Sequence, residues 1–150
     1  MSPVCDDCGM YPCECQPVVS FVYISTVLEF QNMTMNGHYR LAGDIDFGGV
    51  VMRAIGDNTG MVAYSAVVAP SVFSGIFDGN GFALLNIQIR DWGSRSVQPH
   101  AGLFMETDGA VIRNVSIENM NLMSIGVAGG MIVGISRNTV IENVFIRSSG

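Results

Sequence analysis

Three stretches in the second half of the chain share one pattern of apolar and polar positions: FALLNIQI (82–89), AVIRNVSI (110–117) and TVIENVFI (139–146). In each, an asparagine (Asn86, Asn114, Asn143) is followed by an aliphatic, a variable residue and a second aliphatic. The aliphatics are Ile87/Ile89, Val115/Ile117 and Val144/Ile146, and Gln88, Ser116 and Phe145 stand between them. Alternation with period two predicts strands that bury one face. SGIF (74–77), AGLF (101–104) and AGGM (128–131) form a second recurring set. DGNG, TDG and SRNT supply turns between the two sets. The asparagines are 28 and 29 residues apart, and the second set recurs at 27.

A repeat of that length with short strands suits one coil of a parallel β-solenoid, whose coils bury their aliphatics against neighbours about 4.8 Å away. The expected fold is all-β: a short right-handed parallel β-helix with a small N-terminal helix and a Cys-rich N-terminal head. Stacked in register, Asn86, Asn114 and Asn143 would form an amide ladder or at least a defined corner. The alternative is surface turn residues that tolerate a left-handed backbone.

The first half fits the same class. VVSFVYI (18–24) is a β-rich run. Thr26 and Glu29 have the spacing of a capping box, which predicts a short helix over 27–33. HYRLAGDIDF predicts two short strands, with Tyr39, Leu41, Ile45 and Phe47 on the apolar side. Three segments result: a head over 1–17, an N-terminal cap with first strands and an apolar insertion over 18–72, and repeated coils over 73–150.

These motifs resemble proteins that carry GLUG-motif repeats. The resemblance rests on YRLAGDIDF, FSGIFDGNGFALLNIQI, AGLF with AVIRNVSI, and AGGMIVG with TVIENVFI, and spans about residues 20–147. It implies a β-solenoid of the kind found in bacterial surface proteins, adhesins and phage tail proteins. It implies a scaffold and binding role and brings no catalytic residue with it. The chain departs from the pattern in the long apolar insertion over 48–72, in its small number of coils and in its cysteine head.

Composition narrows the partners. Net charge is −6, with no lysine and seven scattered arginines. Without a basic patch to neutralise phosphates, nucleic acid is not an expected partner. No apolar run approaches the roughly 20 residues of a spanning helix, so membrane insertion is not expected either. The N-terminal MSPVCDDCGM has no secretory pattern, which favours synthesis in a cytoplasm and arrival at a virion or extracellular surface by release. IENVFIRSSG ends on a strand pattern with no polar cap after it, so either the chain is a fragment or other copies or other fibre proteins cover that end as the expected partners.

Candidate chemistry is sparse. Cys5, Cys8, Cys13 and Cys15 give C-x2-C-x4-C-x-C. Four thiolates suit a closed structural zinc site, with disulfides or an open tail as alternatives. Asp44 and Asp46 share a strand face and Asp78 follows in the DGNG turn, an arrangement a glycan-cleaving enzyme or a calcium site could use. Trp92 with Arg90 and Arg95 is a candidate glycan or protein contact. His38 and His100 lie far apart in sequence with no nucleophile beside them. The leading expectation is a non-catalytic structural and binding protein: a phage tail or fibre component that presents its surface to a host glycan or protein. A bacterial surface adhesin and a polysaccharide-acting enzyme are the alternatives.

Overall fold

The computed structural model describes residues 20–56, 72–90, 100–123, 128–129 and 132–147. Among them the chain is all-β with a single five-residue helix. The cysteine head lies outside the described residues.

The order begins with β1 (Val22–Ile24), α1 (Val27–Gln31), β2 (His38–Leu41), β3 (Ile45–Asp46) and β4 (Val51–Met52). It continues with β5 (Ile76–Asp78), β6 (Ala83–Leu85) and β7 (Gln88–Arg90). Then come β8 (His100–Ala101), β9 (Phe104–Asp108), β10 (Val111–Glu118), β11 (Asn121–Met123) and β12 (Ala128–Gly129). The last two are β13 (Val133–Arg137) and β14 (Val140–Arg147). The capping box forms, but the helix is two residues shorter than its apolar pattern predicts. Thr26 Oγ1 accepts from the Glu29 N–H at 3.2 Å, and the Glu29 carboxylate accepts from the Thr26 hydroxyl and the Ser25 N–H.

Every strand pairing among the described residues is parallel. The largest sheet runs β1-β2-β5-β10-β6-β3, with β14 on the other side of β10. The long β10 therefore pairs with two strands in one row: residues 111–113 with β5 and residues 116–118 with β6. Smaller sheets run β11-β7-β4, β12-β8 and β13-β9.

Inside lies one apolar cluster. Phe30, Phe47, Phe73, Phe77 and Phe104 are fully buried with Leu41, Ile45, Leu84, Ile87, Ile89, Ile112 and Ile117. Phe30, carried by α1, packs edge-on against Phe47 and Phe77 at 5.5 and 5.6 Å. Removing this apolar surface from water is the main force holding the stack together.

Asparagines set the corners. Along β10, Ile112 is buried, Arg113 and Asn114 are not, then Val115 and Ile117 are buried. The inward positions thus jump by three across Asn114, which sits at φ 56°. A left-handed residue turns the strand and resets its alternation without ending the pairing. Asn86 does the same between Leu84 and Ile87.

The look-alike stretches do not all stack on one another. AVIRNVSI lies on TVIENVFI, with Ile112 beside Ile141 and Ile117 beside Ile146. FALLNIQI is displaced: Leu84 pairs with Ile117 and Leu85 with Glu118, which carries Asn86 to Asn119. SGIF stacks between HYRL and VIR rather than on AGLF, since Ile76 pairs with His38 and with Val111. Ala101 pairs with Gly129, one position from the sequence alignment. The physical reason is that the motif of asparagine followed by alternation encodes a corner, and each row has more than one. Self-similarity matched corners of the same type at different places around the row.

Candidate functional site

The outward face just before the Asn114 corner carries a column of charge. Strand register sets Tyr23, Arg40, Asp78, Arg113 and Glu142 side by side on successive strands. Asp78 sits at its centre and is 4% exposed. Arg40 Nη2 and Arg113 Nε each donate to its Oδ2 at 3.2 Å. Its Oδ1 accepts from the Asn80 N–H at 2.8 Å and the Asn114 amide at 3.3 Å. Burial pushes the carboxyl pKa up, but the Asn80 N–H, the Asn114 amide and the Arg113 guanidinium outweigh it and hold the pKa below the usual value. The Arg40 guanidinium also lies over the Phe21 ring at 3.9 Å.

Asp78 is placed by the DGNG turn. The Phe82 N–H donates to the Gly79 carbonyl at 2.8 Å, and Asn80 and Gly81 have φ 53° and 82°. Two left-handed central residues make a type I′ turn, which Asn-Gly favours.

Below this column opens a shallow groove of about 530 Å³, lined by Arg40, Asp78, Asn80, Asn114, Ser116, Asn143 and Phe145. Asn143 donates to Asn114 Oδ1 at 3.2 Å, and Asn114 donates onward to Asp78. This leaves a polarised chain of amides along one wall. Phe145 forms another part of the lining, with its side chain 56% exposed. Its neighbour one strand away is the small Ser116, and beyond that Ala83, so a shelf opens beside the ring. Amides, a hydroxyl and an exposed aromatic face form a surface that hydrogen-bonds at its edges and stacks at its side.

Of the sequence-derived ladder residues, the structure brings Asn114 and Asn143 together. Asn86 lies elsewhere: it donates to Asp46 at 3.0 Å and accepts from Asn119 at 2.8 Å. Asp46 also accepts from the Gly48 N–H, and these two bonds, the Asn86 amide first, hold its pKa below the usual value. Asp44 accepts from the Ala83 N–H at 2.8 Å. Arg90 is exposed on β7, in a sheet separate from the groove. Trp92, Arg95 and the four cysteines lie outside the described residues. Among those described, no group of three or more His, Cys, Asp or Glu is gathered for a metal.

Sequence reasoning did not find the groove. Arg40, Asn80 and Phe145 are dispersed over the chain, and only register joins them. The available signal was Phe145, an aromatic at an outward position where the aligned stretches have Gln88 and Ser116.

No family model matches the chain. No solved structure matches it. The chain is 32% identical over 113 residues to halomucin from Haloquadratum walsbyi. That alignment covers 73% of this chain and 1% of halomucin, so the chain spans a very small part of that relative's length.

Proposed function

We propose that this chain is a non-catalytic scaffold and binding module: a short right-handed parallel β-solenoid whose outer groove holds a saccharide. The carrying observation is the groove at the charge column, which the exposed Phe145 lines together with a chain of asparagine amides. Sugar rings offer an apolar face for stacking and edge hydroxyls that pair with amides. The solenoid reading is supported by uniformly parallel pairing, left-handed asparagine corners and a common apolar interior. GLUG-like coils in a tail or fibre component at a virion or cell surface fit it, as does an adhesin. The likeness to a short piece of a very long relative agrees with a module used within an extended protein. The carboxyl that lines the groove, Asp78, is taken up by Arg40, Arg113, the Asn80 N–H and the Asn114 amide, which favours binding over glycan cleavage there. In the same reading Cys5, Cys8, Cys13 and Cys15 close a zinc knot, for which four thiolates are a suitable donor set.

Glycan-array binding followed by calorimetry tests the reading. A saccharide retained by the chain should lose at least about tenfold in affinity on Phe145→Ala and keep most of it on Phe145→Trp. Release of new reducing ends, or retention indifferent to Phe145, would overturn it.

A further inference from the structure

The β14 edge differs from the other rows. β14 pairs with β10 alone among the described strands. Ile141 and Ile146 are 44% and 42% exposed, while their partners on β10, Ile112 and Ile117, are fully buried. Near β1 and β2, α1 covers the interior with Phe30, but Ile141 and Ile146 have no comparable cover among the described residues.

The open groups on this edge share one polarity. The charge column alternates as Arg40, Asp78, Arg113, Glu142, and Glu142 makes no hydrogen bond or ion pair among the described residues. Asn143 donates to Asn114, and its own Oδ1 has no donor there. Both groups accept, so a strand laid against this edge would meet them with donors. Direction is set as well. The Asn143 corner resets the alternation, with φ 51°. Every strand pairing among the described residues is parallel, so a parallel strand is the one that continues the stack. A parallel strand with the same corner keeps phase throughout.

We propose that the β14 edge docks a parallel strand of a partner polypeptide with the pattern aliphatic-Arg-Asn-aliphatic-x-aliphatic. Its arginine lies opposite Glu142, its asparagine donates to Asn143, and its aliphatics cover Ile141, Val144 and Ile146. This is the pattern of β10 itself, IRNVSI. The inference rests on the scaffold reading and adds the sequence chemistry of the partner strand.

The test is fluorescence anisotropy of the full chain with a labelled peptide AVIRNVSIE. Saturable binding is expected, at least about tenfold weaker for the peptide carrying Arg113→Glu. The chain variant Glu142→Arg should reverse that order. Glu142 is exposed, and thermal unfolding checks that the variant folds; if it does not, Glu142→Gln should remove the peptide discrimination instead. No saturable binding, or equal affinity of both peptides for both chains, overturns the proposal. So does a dimer of the chain alone that sedimentation shows to be abolished by Glu142→Arg, which would make a second copy the occupant. Peptide binding that fails while saccharide binding persists overturns only this inference, and failure of both overturns the scaffold reading.

Discussion

Six residues other than glycine hold a positive φ among the described residues, and all are asparagines: Asn80, Asn86, Asn114, Asn119, Asn138 and Asn143. Asparagine tolerates the left-handed region because its short amide bonds locally, whereas most other side chains meet a steric cost of about 1–2 kcal/mol there. The same amides then bond along the stack, as Asn138 does to Asp108 at 3.1 Å. Asp78 shows what a saturated site is worth. Its folded pKa lies below the unfolded value near 3.9, so the carboxylate stabilises fully above that pH. That stabilisation is lost as pH falls through the folded pKa. Urea midpoints measured downward from pH 6 should therefore drop below about pH 4. Asp78→Asn should lower the plateau by roughly 1–3 kcal/mol and flatten part of the acid limb, because two partly exposed arginines lose their common counter-charge. An unchanged acid limb in Asp78→Asn would refute the assignment.

β10 shows how one element organises its neighbours. It is eight residues long and continuous, yet it pairs with a row broken by the DGNG turn into β5 and β6. The turn needs glycine twice, for different reasons. A Cβ on Gly79 would lie 2.4 Å from the Asn114 carbonyl oxygen and from Val115 Cβ, a collision with the next row. Gly81 has open space around its Cβ direction but sits at φ 82°. Gly79→Ala should cost about 1–3 kcal/mol through overpacking, and Gly81→Ala about 1 kcal/mol through backbone strain. Chemical denaturation of both variants checks the order, and Gly81→Ala proving the costlier would contradict the row contact. The existence of these elements was legible in sequence, since alternation and turn dipeptides are local signals. Their pairing was not. FALLNIQI and AVIRNVSI look equivalent, yet Asn86 and Asn114 stand at different corners, because a corner motif carries no mark of which corner it makes.

Across the whole molecule, burial depends on row position more than on residue type. Ile112 and Ile141 are register partners in matching motifs, one fully buried and the other 44% exposed. Ile112→Ala should cost about 2–5 kcal/mol, and Ile141→Ala under about 1 kcal/mol in the isolated chain. Comparable losses in thermal and urea unfolding would mean that something covers the β14 edge in solution. What the sequence by itself determined was local: β-rich alternation, the capped α1 helix, the asparagine corners and a composition without lysine. These follow from backbone sterics and solvent transfer of single residues. Only the tertiary structure decided the register. It placed Asp78 between Arg40 and Arg113, 38 and 35 residues away in sequence, and gathered the groove around Phe145. The reason is that lateral pairing of parallel rows depends on the length of chain between them, which varies from row to row. No short-range pattern encodes a distance set by the rest of the stack.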